Sequence, residues 1–295
     1  QIDKMGEDRY YITTYNTSKF EVFELNAAGE ADHLSSIPID GYRGLNIHWI
    51  DDDTFFSKGS QGELALISVQ DGILWNIDEE QLESLIGIEE VISLSPTFSL
   101  QVSDDGVAFL LGNVTLETYE RRGFIAQVSL AGEITNVETR DYASSVSLKQ
   151  FLDDGYVVEW LEYFDADTSQ KILQKINWNG DIELEQSINI QKGLALATSE
   201  GYFLIDLYDQ SPTVTAYDWG KQELYQFSPS EEITNSFNAK MKLSEDNDLY
   251  IYNSSNGIEK RSAVDGSLIW TKTFDKSTKE NDIRISDNGV YSRVV

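Results

Sequence analysis

Cysteine is absent from the 295 residues, and there are four prolines, two histidines and two methionines. Without cysteine there can be no disulfide scaffold, thiolate metal site or cysteine nucleophile. Two histidines leave little for a metal centre or a general base. Basic residues are scarce as well: 22 Lys+Arg against 51 Asp+Glu give a formal charge of −29. A nucleic-acid binder must neutralise phosphates with clustered cations, so that class is excluded. No apolar run approaches the roughly 20 residues that span a bilayer, so no transmembrane segment is expected. The acidity fits a solvated, self-repelling surface, Ca²⁺ binding by some carboxylates, or steering of a basic partner.

What is present is ordinary for a folded chain: 40% hydrophobic and 25% charged residues, with 15 Tyr, 13 Phe and 6 Trp. The sequence opens at Gln1 with no charged leader and apolar core, as expected of a processed protein or a piece of a longer one. Together with the lack of cysteine, this sets the expectation of an extracytoplasmic protein (periplasmic, cell-surface or secreted).

One pattern recurs along the chain: an apolar segment, an acidic or glycine turn, then a run of strong β-formers. It reads HWIDDDTFFS around Asp53, LQVSDDGVAFLL around Asp105 and QFLDDGYVVEW around Asp154. Further copies centre on Asp8, Glu200, Asn247 and Asn288, and the anchors are 45, 52, 49, 46, 47 and 41 residues apart. Asp-Gly and Asn-Gly supply the φ > 0 positions of tight hairpin turns. The Tyr, Phe, Val and Ile that follow suit a pleated sheet. A second glycine turn follows each of the first six anchors, at Gly29, Gly72, Gly132, Gly180, Gly220 and Gly266, flanked again by strand-like residues.

Each repeat therefore holds two hairpins, or four strands, which we label A to D. Four-stranded units at a period of 40 to 50 residues predict a β-propeller in a single domain over 1–295. About seven blades are expected, the seventh ending after its first hairpin, with a six-bladed ring as the alternative. An open seventh blade would leave an unpaired edge, so the expectation is that the polypeptide continues past Val295 or that a partner covers the edge.

DGSLIWTKTF (Asp265–Phe274) and the shorter DGILWNI (Asp71–Ile77) resemble the PQQ-like propeller repeat, in which a glycine turn precedes an apolar strand bearing Trp. The other copies keep the glycine and replace the Trp. The resemblance implies a PQQ-like or WD-like propeller superfamily and no particular member. That superfamily holds quinoprotein dehydrogenases and also outer-membrane assembly lipoproteins that act as protein-binding scaffolds. The vicinal cysteine pair of the dehydrogenases has no counterpart here.

No catalytic constellation stands out. G-x-S-x-G is absent, and His33 and His48 read as packed or hydrogen-bonded strand residues. The acidic anchors recur in every repeat, which favours a turn role over a single site. The stretch from Asp165 to Gln170 lacks the glycine and the bidentate glutamate of an EF-hand loop, so no metal site and no cofactor are expected, Ca²⁺ being the one possibility left open.

Two B–C connections are lengthened, by residues 118–122 in the third repeat, with Tyr119, Arg121 and Arg122, and by residues 163–167 in the fourth, with Tyr163, Phe164, Asp165 and Asp167. The D–A connection over residues 78–90 is also long, and its Asp78 cap with Leu82, Leu85 and Ile86 predicts a short helix. Binding residues concentrate on such loops, and Tyr and Arg dominate binding hot spots. The expected function is a non-catalytic scaffold binding another protein through this loop-bearing face. The alternatives are a lyase or glycosidase with paired carboxylates at the channel mouth, or a carbohydrate-binding module using Trp49, Trp160, Trp178 and Trp219. A small-molecule or glycan ligand stays open.

Overall fold

A computed structural model of the chain describes residues 2–294 apart from 6–8, 16–18, 26–29, 39–43, 60–62, 79, 82–83, 85–90, 95–98, 104–105, 118–120, 164–168, 191, 207–211, 231–239, 245–247, 254–256, 274–280 and 287–288. The described residues are almost entirely β. The first sheet is β1 (Ile2–Met5), β2 (Arg9–Tyr15), β3 (Lys19–Leu25) and β4 (Ala31–Pro38), and the second is β5 (Gly44–Trp49), β6 (Thr54–Gly59), β7 (Leu64–Ser68) and β8 (Gly72–Ile77). The third runs β10 (Ser99–Val102), β11 (Ala108–Leu116), β12 (Arg121–Val128) and β13 (Ile134–Asp141), with β9 (Val91–Leu94) also on β11.

The fourth sheet is β14 (Ala143–Leu152), β15 (Gly155–Tyr163), β16 (Ser169–Asn177) and β17 (Ile182–Ile188). The fifth is β18 (Lys192–Ala197), β19 (Gly201–Asp206), β20 (Thr213–Asp218) and β21 (Glu223–Phe227). The sixth is β22 (Lys240–Leu243), β23 (Asp248–Asn253), β24 (Gly257–Ser262) and β25 (Leu268–Thr273), and β26 (Asn281–Ser286) with β27 (Gly289–Val294) makes a two-stranded seventh. Apart from β9, each of the first six sheets is a sequential antiparallel meander, so each of the first six repeats folds as one propeller blade, as its two turns predict.

The third blade departs from the simple A-to-D plan. Two strands occupy its strand-A side of β11: Leu94 of β9 pairs Val114 and Ser99 of β10 pairs Leu111.

The chain forms two compact units, Gln1–Leu148 with Trp160–Thr168, and Lys149–Glu159 with Ser169–Val295. In the first, alternation sorts the second blade's side chains to two faces. Phe55, Ala65 and Ile67 pack with Val22 and Ile37 of the first blade. Phe56, Leu64 and Leu66 pack with Leu100, Leu110 and Phe124 of the third. The second unit repeats this: Tyr202 and Leu204 pack on Val157, Leu173 and Leu184, while Phe203, Ile205 and Val214 pack with Leu249. Middle strands covered on both faces become continuous hydrophobic runs; β7 is buried at every position. Outer strands stay largely exposed, as in β17 and β21.

Candidate functional site

The loop-bearing end of the third and fourth blades, in the first unit, is framed from below. Gly123 is the close-packing residue, because a Cβ there would lie 2.8 Å from Cβ of Ala143 and 3.1 Å from the Trp160 ring. The Asn113 amide donates to Ser144 O at 2.9 Å, and the Ser144 hydroxyl donates to Leu161 O at 3.1 Å. Arg140 donates to Glu162 at 2.9 Å, with its guanidinium 5.8 Å from the centroid of the buried Trp160 ring.

On this frame sit four exposed or half-exposed side chains. Arg121 and Arg122 are the first residues of β12 rather than part of the loop, because the β11–β12 ladder runs out to the Thr115–Arg121 pair. Arg122 is paired across strands with Asp141 and donates to it at 2.6 Å. Arg121 is exposed and has no ion-pair partner among the described residues. Tyr142 alone joins β13 to β14 and takes φ = 60°, a left-handed conformation that costs a non-glycine residue about 1–2 kcal/mol. Its carbonyl accepts the Tyr163 N–H at 3.0 Å, which fixes two exposed tyrosines side by side. Sequence reasoning found the two arginines, placed Tyr163 in the lengthened B–C connection of the fourth repeat, and missed Tyr142. Tyr119, Phe164, Asp165 and Asp167 lie outside the described residues, as do Leu82, Leu85 and Ile86. Asp78 does cap a helical turn: its carboxylate accepts the Gln81 N–H at 2.8 Å, and the Gln81 side chain accepts the Asp78 N–H at 3.1 Å.

The acidic anchors that are described act in turns. Asp51 accepts the Asp53 and Thr54 N–H groups at 2.9 and 2.7 Å. Asp53 accepts the Ser68 hydroxyl at 2.7 Å and so ties the A–B turn to the C–D turn of its own blade. Asp154 and Glu183 both pair with Lys175. Burial pulls the Lys175 ammonium down, but the two carboxylates outweigh it and its pKa is raised. Among the described residues no group of three or more His, Asp or Glu could hold a metal.

The structure gathers Ser36, His33 and Glu21 on β3 and β4. Lys19, Ser36 and His33, in that order of effect, hold the Glu21 pKa down to about 2. His Nε2 faces both Glu21, at 2.8 Å, and Ser36, at 3.2 Å. A nucleophilic triad needs the carboxylate on the other ring nitrogen and the hydroxyl proton on its way to the imidazole. Here the Ser36 hydroxyl donates to Glu21, so the cluster is a surface hydrogen-bond network.

In the second unit, two adjoining clefts open where the A–B and C–D turns emerge, at the opposite end of their sheets from the B–C loops. One, of about 310 Å³, is lined by Tyr202, Phe203, Tyr217, Tyr225 and Val264 among others. The other, of about 340 Å³, is lined by Phe151, Asp153, Met241 and Lys242. Thr198, Ser199 and Leu243 border both. Tyr202 stacks on Tyr217 with centroids 5.3 Å apart and leans on Trp219 at 5.2 Å. Burial pushes the Tyr202 and Tyr225 hydroxyls up to about 12. Trp219 donates to the carbonyls of Thr198 and Ser199 at 3.2 Å each, and Trp178 donates to Asp153 O at 2.9 Å. These two tryptophans clamp turns, and Trp160 is fully buried. The sequence signal for the clamps is a Trp directly after the Asn or Asp that opens a C–D turn.

Comparison of the sequence with protein-family models and with curated proteins finds no match. Solved structures do match. BamB from Moraxella catarrhalis aligns with a TM-score of 0.52 at 10% identity, over 97% of this chain and 79% of that one. The C-terminal WD40 domain of Sif2 aligns with a TM-score of 0.42 at 9% identity, over 94% of this chain and 85% of that one. The likeness to BamB shows the fold, an all-β propeller built from repeats. It assigns no particular member.

Proposed function

We propose that this protein is a non-catalytic scaffold that binds another protein through the loop-bearing end of its third and fourth blades. The observation that carries the reading is the row Arg121, Arg122, Tyr142 and Tyr163, held on a buried frame beside the loops that contain Tyr119, Phe164, Asp165 and Asp167. Arginine and tyrosine are, with tryptophan, the residues enriched at binding hot spots, and rigid presentation lowers the entropy cost of association. Tyr142 keeps a strained backbone in a connection that glycine would relieve, and its side chain is what that strain presents. Against a chain of net charge −29, two adjacent arginines select a partner surface that carries carboxylates. The reading needs no cofactor, and an extracytoplasmic location suits a chain without cysteine.

The test places a photo-crosslinking phenylalanine analogue at Tyr163 in the native host. One discrete crosslinked protein is expected, lost on Arg121→Glu with Tyr142→Ala. Equal crosslinking with or without those changes, or the same product from a probe at Leu224 in the second unit, would overturn the proposal. A second reading, a glycan or small aromatic ligand, is favoured by the aromatic walls of the two clefts. Quenching of Trp219 fluorescence on titration with oligosaccharides, abolished by Tyr217→Ala, would support it instead.

A further inference from the structure

The second and fifth blades build the same joint to the blade that follows each of them, and they fill it differently. In the second blade Phe56, Leu66 and Trp75 form a cross-strand row. The Trp75 indole donates at 2.8 Å to the carbonyl of Leu130, which follows the Ser129 that opens the third blade's C–D turn. In the fifth blade the row is Phe203, Ala216 and Tyr225. The Tyr225 hydroxyl donates to the carbonyl of Ala263, which follows the Ser262 that opens the sixth blade's C–D turn. The A–B turns match as well: the Ile50 N–H donates to Thr54 O at 2.9 Å, and the Thr198 N–H donates to Gly201 O at 2.8 Å. Val102 and Leu243 end the two neighbouring inner strands.

Three of these positions carry less side chain in the fifth blade. Ala216 stands for Leu66, Thr198 for Ile50 and Tyr225 for Trp75. In the second blade Ile50, Trp75 and Val102 close over Phe56 and Leu66 in one cluster. In the fifth, the same face borders the cleft of about 310 Å³, with Phe203, Ala216 and Tyr225 on one side and Leu243, Ala263 and Val264 of the sixth blade on the other. That volume is at the small end of the range for small-molecule sites. The mouth is apolar too, with Leu224 55% and Val264 83% exposed. Among the described residues, Glu200 lines this cleft and no Lys or Arg does. Asp265 follows Val264, and its charge, after burial, is the second cause of the raised Tyr225 pKa, so a second carboxylate lies near the Tyr225 hydroxyl. That hydroxyl spends its proton on Ala263 and keeps lone pairs for a donor.

We propose that this cleft binds a small organic cation, one aromatic ring joined by a short alkyl chain to an ammonium group. The ring lies against Phe203, Ala216 and Leu243, in the room that the shorter Ala216 and Thr198 side chains leave. Its burial removes apolar surface from water. The ammonium stays at the mouth, where it keeps its hydration and is drawn by Glu200, Asp265 and a chain of net charge −29. The Tyr225 oxygen is its acceptor. A glycan fits this cleft worse, because its hydroxyls would meet Phe203, Ala216, Leu243 and Ala263, which offer no side-chain hydrogen bond. The inference rests on the cleft reading given second above and narrows its ligand. It stands apart from the Arg–Tyr face, and either can fail without the other.

The probe is para-fluorophenethylamine, titrated into the full chain at neutral pH and followed by fluorine NMR. Saturable binding is expected below about 10 mM. para-Fluorophenylpropionate, which has the same ring and a carboxylate at the end of its chain, should bind about tenfold more weakly or worse. Glu200→Gln with Asp265→Asn should weaken the amine about tenfold and remove the preference over the propionate. Ala216→Leu, which gives the fifth blade the second blade's residue, should abolish binding, and a urea midpoint at or above that of the wild type would show the cleft filled rather than the fold lost. Thr198→Ile is an independent second filler and should act in the same way. Absence of saturation in that range, equal binding of amine and propionate, or undiminished binding by both fillers overturns the site. Quenching of Trp219 by an oligosaccharide that the amine does not displace would leave the glycan reading standing and overturn this one.

Discussion

Gly106 and Gly155 stand in the same place in their repeats, each after an Asp-Asp pair, and serve different needs. Gly106 takes φ = +79°, the left-handed turn that Asp-Gly predicts. Gly155 has no such φ; a Cβ there would sit 2.1 Å from the carbonyl oxygen of Ile176 on the neighbouring strand. In the fifth blade the left-handed residue is Lys221, at φ = 69°, and not Gly220. A dipeptide shows that a turn is present, and only the strand packed beside it shows which property of glycine the turn uses. Tyr142 is the opposite case, a bulky residue where glycine would be favoured. Tyr142→Gly should therefore raise stability by up to about 1 kcal/mol in urea melts while weakening partner capture. A stability loss above that size would mean that the ring holds the fold together and is not displayed for binding.

At the level of elements, the hairpins share a device that the anchor pattern does not reveal. The residue opening the C–D turn is Ser68, Ser129, Asn177, Asp218 or Ser262, and in each case its side-chain oxygen accepts turn N–H groups. These caps set the position of the carbonyls on which the outer-strand aromatics dock. Trp75 and Trp270 look alike in sequence, and both resemble the same repeat, yet among the described residues only Trp75 has an acceptor. Trp75→Phe should cost about 1 kcal/mol, the net value of one hydrogen bond, and Trp270→Phe should leave the urea midpoint unchanged. Equal losses would mean that the two indoles are equally engaged.

Across the whole molecule, charge sets the response to salt. A chain at −29 repels itself when compact, and raising ionic strength from about 0.01 M to 1 M shortens the screening length from about 30 Å to 3 Å. The melting temperature should climb over that range of NaCl. A flat or falling curve would show that ion pairs such as Arg140–Glu162 and Lys260–Asp248 outweigh the repulsion.

The sequence by itself determined the repeat, the paired hairpins and the two-stranded seventh sheet, because a hairpin is closed by residues a few positions apart. Tertiary structure alone decided the rest. Trp75 meets Leu130 across 55 residues, Gly123 is shaped by Ala143 and Trp160, and the tyrosines at 142 and 163 become neighbours only once β13, β14 and β15 are in place. Such contacts depend on which side chain of one blade reaches which turn of the next, and no local spacing in the chain encodes that distance.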